Sequence, residues 1–600
     1  MIEVLLKMPM LKPPGYAMSF GGFLHTANLL AVTMERGDIM IKACYINEIF
    51  CSMVLGLVFP CILLFNPNVS SATPLKTTIP FVVDSQYEIQ ILVPGSHFHG
   101  IHGLTFDSQD NLYAGSVIGR AIYYVNTNTG EVKEFIGPPD GMADDVEFGP
   151  DGRIYYTSIL EGKLRCKGAD GKVTILAEGL PGINALAFNN EGRLFATQVF
   201  MGDALYEIDL SGQKKNRKIA EKLGGLNGFD FGPDNMLYGP LWFKGVIAKV
   251  NVATGKVDVV ASDFKKPGAV NFDSRGNLFA LDSATSEVVQ VDVKTGQKMT
   301  IAKLEPSLDN LAIDSMDRIF ITNFSKNGIY EIDKKTGKAR TIIEGKLSCA
   351  AGVAVSTEGG SDTVYITDVF SLKKVDGFTG EVITLKSSHA EGSHIAYPMT
   401  ISAYKDNLLL IGPGTGTVQV IDRKTNQSKS MYAGFKRPSH ALMMDDGSII
   451  VAEMGTGNLL RVKGEEGKDR TVIATDLIVP GYISRAGNSA VYITEIGAGT
   501  VSRIDLSNGK KKIIAKGLKV PKGIGVLPDG KLVVVETETA QLVQIDPASG
   551  AISTLVKNLA VGYPPGSPPP GLVTGVAVSG SGVIYVTGDV ENVLYKVRLK

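Results

Sequence analysis

Short runs of alternating apolar and polar residues recur along this chain, each bounded by Gly, Asp or Asn. RIFITNF (318–324) and VYITEI (491–496) show the period, and alternation with a period of two predicts half-buried β-strands. The runs are themselves organised into a longer unit. It reads as a small residue, an apolar-x-apolar strand, an Asp/Gly turn and a second strand ending in Tyr-x-Thr or Phe-x-Thr. A third strand like YEID follows, then a Thr-Gly turn and a fourth strand. GLTFDSQDNLYAG from Gly103, NGFDFGPDNMLYG from Asn227 and GIGVLPDGKLVVVE from Gly523 are three copies of its first half. The residues anchoring the first strands are Phe106, Phe148, Phe188, Phe231, Phe272, Ile313, Val355, Ala403, Met444, Arg485, Val526 and Val578, mostly 40 to 43 apart. Two intervals are longer, 48 and 52, and contain SSHAEGSHIAYP (387–398) and VGYPPGSPPPGLV (561–573).

A four-stranded unit of this size cannot bury both faces of its sheet alone, so such units stack around an axis. The expected fold is therefore all-β, a tandem β-propeller of about twelve four-stranded blades. Thr129-Gly130, Asp170-Gly171 and Thr254-Gly255 mark the tight turns before outer strands. The last unit, from Thr574, has only three strands, and an open edge invites aggregation. Residues 88–95 (EIQILVPG) form a spare outer-type strand. Two six-bladed wheels are expected if 88–95 completes the sixth blade and 339–345 (ARTIIEG) the twelfth. A single twelve-bladed ring is the alternative, and few propellers exceed eight blades. The expected organisation is a leader at 1–72, a linker with closing strand at 73–96, a first wheel at 97–338 and a second at 339–600.

The leader stands outside the repeat. Ile49–Phe65 (IFCSMVLGLVFPCILLF) is the longest apolar stretch, with Lys42 before it and Ser70-Ser71-Ala72 after it. Translation from Met40 would make this a secretory signal peptide; from Met1 it would serve as a short membrane anchor. Export to a secreted, periplasmic or envelope location is the expectation. Three of the five cysteines lie in the leader, leaving Cys166 and Cys349, so neither a disulfide framework nor zinc-ligand spacing is expected. With 60 basic and 61 acidic residues, the chain lacks the excess of positive charge that a nucleic-acid partner would require.

The residue four before each anchor opens the strand lining a wheel's channel. In the first wheel these are His102, Asp144, Asn184, Asn227, Gly268 and Asp309; in the second, Ala351, Met399, His440, Gly481, Lys522 and Thr574. Carboxylates and amide oxygens converging on one axis suit a hard divalent cation such as Ca²⁺, although Asp and Asn before a strand also cap local turns. The first ring is the expected metal site, through Asp144, Asn184, Asn227 and Asp309. His102 lies between Asp144 and Asp309 in blade order. A carboxylate fixes the tautomer of an imidazole and raises its basicity, so His102 with Asp309 is the expected general-base pair. Trp242, the only tryptophan, follows a second strand in GPLWFKG; it is expected to wall the substrate or to pack between blades.

LNGFDFGPDN around Asn227 and INALAFNNEG around Asn184 resemble blades of the senescence marker protein/gluconolactonase/luciferin-regenerating-enzyme family, over about residues 97–345. The resemblance implies a six-bladed propeller holding a divalent metal, often Ca²⁺, through a Glu, two Asn and an Asp, and hydrolysing lactones or related esters. The two Asn match, whereas the family's first-blade Glu is His102 here and its fifth-blade Asp is Gly268. The second half is similar to streptogramin lyase and NHL-type repeats through His440 and Glu453 in SHALMMDDGSIIVAE. Glu495, Glu536 and Asp368 share the blade position of Glu453, which also makes it a repeat feature. The leading expectation is an exported hydrolase of small lactones or esters that depends on a divalent cation, with Ca²⁺ the expected ion. A non-catalytic binding scaffold is the alternative, and a C–O lyase at His440 and Glu453 the third reading.

Overall fold

The computed structural model describes residues 80–600 except Gly212, 465–466 and 565–573. The apolar run at 49–65, and with it the leader, lies outside the described residues. The described chain forms twelve antiparallel sheets, eleven of four strands and one of five, with no helix among the described residues. The tandem β-propeller read from the sequence is the architecture observed. In ten of the twelve blades the strands run in chain order from channel to rim; blade one, for example, is Ile101–Phe106, Leu112–Ser116, Ala121–Val125 and Val132–Ile136.

Ring closure follows from which inner strands meet. The inner strand of blade six, Leu308–Ile313, packs on that of blade one, Ile101–Phe106. Val353–Glu358 of blade seven packs in the same way on Val576–Val578 of blade twelve. The threonine ending the second strand explains the Tyr-x-Thr and Phe-x-Thr signature. Its hydroxyl donates to the carbonyl of the next blade's ring residue, as from Thr494 to Lys522 at 2.9 Å. Thr322 to His102, at 2.6 Å, closes the first wheel, and Thr587 to Ala351 closes the second. The chain therefore makes two rings of six.

The Asp of the YEID-like strand ends sets the following turn. Asp292 Oδ1 accepts the N–H groups of Lys294 and Thr295 at 2.8 and 3.0 Å, an Asx-type arrangement that leads into Gly296. Gly296 has φ +73°, and a Cβ there would lie 2.6 Å from Val260 O of the preceding blade. Both the conformation and the close approach require glycine. Between blades the core consists of apolar clusters such as Phe98, Leu104, Leu112, Phe320 and Ile329. Cys166 and Cys349 are buried, free thiols.

The closing strands differ from expectation. Tyr87–Val93 pairs with Val593–Leu599 and so completes blade twelve, not blade six. Ala339–Ile343 pairs with Gly328–Ile332 and completes blade six, not blade twelve. The local hairpin wins because the turn at 333–338 brings that strand back at little loop-closure cost. Only the three-stranded blade twelve then needs a strand from elsewhere. The first ring thus runs from Ile101 to Ile343, and the second takes one strand from before it and the remainder from Val353 onward. Val82–Val83 adds a fifth strand to blade eleven.

The chain crosses between the wheels twice, at 94–100 and 344–352, and two buried asparagines hold the crossings. Asn327 accepts the Gly100 N–H at 2.8 Å and donates to the carbonyls of Phe98 and Ser348, the latter at 3.1 Å. Asn592, at the matching place in blade twelve, accepts the Ala350 N–H at 3.1 Å and donates to Phe98 O at 2.6 Å. Backbone groups that the crossings would otherwise bury unpaired are thereby satisfied.

Candidate functional site

His102 lies in the inner strand of blade one, Asp144 just before that of blade two, and Asp309 within that of blade six. Because blades six, one and two are neighbours, the three side chains meet at the mouth. His102 Nδ1 is 3.1 Å from Asp309 Oδ2 and 3.9 Å from Asp144 Oδ1. Asn184 completes the row, donating from Nδ2 to Asp144 Oδ2 at 2.5 Å. An ionised carboxylate only accepts, so the bond to Asp309 places the imidazole proton on Nδ1. His102 Nε2 is then left without a hydrogen-bond partner.

Burial disfavours the His102 cation, but the charge and hydrogen bond of Asp309 and the charge of Asp144 outweigh it and raise the imidazole above its ordinary pKa. Burial pushes Asp144 up to about 7, with His102 opposing and Asp309 adding to the rise. Two groups whose proton affinity the fold raises therefore stand side by side, and their titrations are not independent.

Asn227 and Trp242 are placed differently. Asn227 opens blade four; its backbone N–H donates to Pro240 O at 3.0 Å, and among the described contacts its side chain does not meet the His102 cluster. Trp242 is buried against Phe200, with ring centroids 5.8 Å apart, and against His389 at 4.9 Å. It belongs to an aromatic wall that the ring positions did not reveal. His102 stacks on Phe324 at 5.9 Å and meets Phe370 of the second wheel edge-on at 5.6 Å. The insertion at 387–398 of the second wheel supplies His389 and Tyr397, with His389 Nε2 2.8 Å from Tyr397 Oη. Both have left-handed backbones, φ +68° and +46°, a strained state for a bulky side chain and one that concentrates at functional sites. Burial, then the charges of Lys266 and His102, lower His389 to about 3, so it is neutral. The sequence marked this insertion by its length alone.

A deeper acidic layer lies behind the ring positions and was not anticipated. Asp145 and Glu147 stand one and three residues beyond the ring residue of blade two, and Asp230 three beyond that of blade four. The same repeat phase, carried one and three residues further along each inner strand, marks all three. Asn310 donates to Asp145 Oδ1 at 2.9 Å, and Asn271 to Asp230 Oδ2 at 3.3 Å. Burial, then Asp230 and Asp145, hold Glu147 well above the usual carboxylate range.

The expected Ca²⁺ cage fits these side chains poorly. The point between Asp144 and Asp309, where a cation would balance both carboxylates, is taken by the His102 ring. Among the described residues no three His, Cys, Asp or Glu side chains form a group that could hold a metal ion. The mouth's chemistry is that of an imidazole between two carboxylates.

In the second wheel, His440 is buried with Nε2 3.2 Å from Ile401 O. Glu453 does not meet it among the described contacts. The carboxylate accepts the Lys436 N–H and the Thr456 hydroxyl, both at 2.8 Å. Glu536 holds Lys519 N–H, and Asp368 the N–H groups of Ser348 and Cys349, in the same way. The shared carboxylate is an anchor for the loop leading into each blade, as its repetition implied.

No family model and no curated protein matches the chain. Solved structures do. The chain is similar to a catalytically inactive virginiamycin B lyase of Staphylococcus aureus determined with quinupristin, at 13% identity and TM-score 0.35, over 47% of this chain and 96% of that one. It is similar to a gluconolactonase of Xanthomonas campestris at 17% identity and TM-score 0.34, over 42% and 94%. It is also similar to the extracellular domain of a putative one-component system of B. thetaiotaomicron at 10% identity and TM-score 0.29, over 86% and 83%. Both kinds of propeller that the sequence resembles are thus among its structural neighbours, and at these identities the likeness is one of fold.

Proposed function

We propose that the protein is a hydrolase that opens a small ester or lactone at the mouth of the first wheel, with His102 as general base. The observation that carries this reading is His102 Nδ1 held by Asp309 at 3.1 Å while Nε2 is left without a partner. Neutral His102 takes a proton at Nε2 from a water molecule as the water oxygen bonds to the carbonyl carbon. Protonated Asp144 gives its proton to the departing alkoxide as the carbon–oxygen bond breaks. Transfer of the proton from His102 back to Asp144 restores the pair. An acid pushed up to about 7 keeps its proton for the leaving group below that pH, beside a base whose proton affinity the carboxylates raise. Trp242, Phe324, Phe370 and Tyr397 supply apolar walls for the acyl group. No step is routed through a metal ion, because the donors do not frame one. An extracytoplasmic location belongs to the same proposal and rests on the apolar run at 49–65.

The test is turnover of a panel of aryl esters and γ- and δ-lactones by the purified chain, with and without a chelator. Turnover that survives chelation and falls at least about a hundredfold in His102→Gln supports the reading. Turnover lost on chelation and restored by Ca²⁺, or equal turnover in His102→Gln, contradicts it.

A further inference from the structure

His389, from the insertion of the second wheel, is held over blade five of the first. Its ring meets Trp242 of blade four at 4.9 Å and Phe324 of blade six at 5.4 Å. Glu391 N–H donates to Ala284 O of blade five at 3.3 Å, and Ser307 Oγ to Ser388 O at 3.0 Å. Trp242 and Phe324 each follow directly on their blade's second strand, and the residue at that place in blade five is Ser283. The remaining blades of the wheel carry Val117, Ile159 and Val199 there, so Ser283 is the one polar side chain of an apolar layer. A Cβ at Gly268 would lie 3.0 Å from Ser283 Oγ and 2.9 Å from Asp309 O. The hydroxyl therefore sits at the ring position of blade five, beside the strand that carries Asp309.

Ser283 is 1% exposed, yet among the described residues neither its Oγ nor His389 Nδ1 has a hydrogen-bond partner. Native interiors rarely leave such atoms unmet. Lys266 stands next to them, its carbonyl accepting the Ser283 N–H at 2.9 Å. Its charge acts on the His389 imidazole, so the half-buried ammonium faces the same space. Burial disfavours that ammonium, and the Asp282 charge offsets part of the penalty. No hydrogen bond or ion pair holds Lys266 Nζ among the described residues, and the Asp282 oxygens receive the N–H groups of Lys265, Lys266 and Ala284. Asp309 is turned away, toward His102 Nδ1 at 3.1 Å.

We propose that this space is an anion subsite, and that the ester or lactone opened at His102 carries a carboxylate received by Lys266 Nζ, Ser283 Oγ and His389 Nδ1. This rests on the hydrolase reading for the place of the reacting carbonyl and adds the charge of the substrate. Tyr397, which keeps its proton, donates to His389 Nε2 when the anion is bound, and the single proton of the neutral ring then stands on Nδ1. An ammonium, a hydroxyl and an imidazole N–H thus converge on one carboxylate, and bonds to a charged acceptor are the strong ones.

Calorimetric titration of the whole protein with succinamate and with succinamide tests this. The two differ only in a carboxylate against a carboxamide, and neither contains an ester, so turnover plays no part. Succinamate is expected to bind saturably and at least about tenfold more tightly than succinamide. Lys266→Met should remove the preference, bringing the two ligands within about twofold of each other. Ser283→Ala should weaken succinamate about tenfold, the effect of one lost bond to a charged group. It should not lower the unfolding temperature, because the hydroxyl has no partner before the ligand arrives. Absence of saturable succinamate binding, equal affinity for the two ligands, or a preference that survives Lys266→Met overturns the proposal. The expected binding pattern in a protein that turns over no ester would uphold the anion subsite and overturn the hydrolase reading alone.

Discussion

At the scale of single residues, His102 and Asp144 tie stability to pH. His102 is raised above its ordinary value in the folded state, so its contribution is full below about pH 6.5 and is lost as pH rises through the raised value. Asp144, pushed up to about 7 by burial, keeps its proton below that pH when folded, whereas the unfolded carboxyl ionises near its ordinary 3.8. The folded state therefore binds the extra proton, and the penalty for the buried carboxylate grows as pH rises from about 4 to 7. Both effects have the same sign. The unfolding temperature is predicted to fall between about pH 5 and 8, and to fall less steeply in Asp144→Asn; calorimetric scans across that range measure it. A stability that rises over this interval would show that the two groups are not coupled as described. His102, Asp144, Asn184 and Asp309 were legible in the sequence because the repeat phase fixes which residue opens each inner strand. His389, Tyr397 and Phe370 were not, because their place at the mouth depends on which face one wheel turns to the other, and no period along the chain encodes that.

At the scale of elements, the crossings and the insertion matter most. Asn327 and Asn592 each satisfy backbone groups of both crossing segments. Asn327→Ala would leave the Gly100 N–H and buried carbonyls unpaired, at a predicted cost of about 3 kcal/mol. Urea unfolding should show this loss, and Asn327→Asp, which keeps the acceptor for Gly100 N–H but sets a carboxylate oxygen against the carbonyls of Phe98 and Ser348, should not restore it. Equal stability of the alanine variant would mean that the crossings are held by packing alone. The insertion places a hydroxyl–imidazole pair in the wall of the mouth. Tyr397→Phe removes the hydroxyl that His389 meets at 2.8 Å while leaving the aromatic wall. It should lower kcat toward a good ester substrate by about tenfold with little change in unfolding temperature. Unchanged kcat would reduce Tyr397 to a wall. The strands themselves were readable from period-two alternation and the Asp–Thr–Gly turns. The Tyr-x-Thr signature was readable too, although its role as the bond between blades required the neighbouring blade to be in place.

At the scale of the whole molecule, the two wheels are unequal in how the chain builds them. The first is one contiguous run, Ile101–Ile343, closed by local hairpins. The second is closed by Tyr87–Val93 pairing with Val593–Leu599, strands from opposite ends of the described chain, and long-range pairing is formed late and at high entropic cost. Removing residues up to 95 exposes the edge of blade twelve. Hydrogen exchange is predicted to show lost protection of Val593–Leu599 and its neighbours, with the first wheel's inner strands still protected. Uniform loss across both wheels would mean that they fold as a single cooperative unit. Blade number and the existence of two rings followed from the repeat and its interval. Which spare strand closes which ring did not, because both candidates have outer-strand patterns and only the economy of a local turn separates them.

His102, held by Asp309, is the proposed base of the first wheel's mouth, and the pH dependence of kcat/KM tests that role most directly. A bell is predicted, rising as the coupled pair frees His102 and falling as Asp144 loses its proton. Replacing Asp309 by Asn removes a negative charge and a hydrogen bond from His102, so the rising limb should move to lower pH while the maximum rate drops. A rising limb that stays in place in Asp309→Asn would contradict His102 as the base.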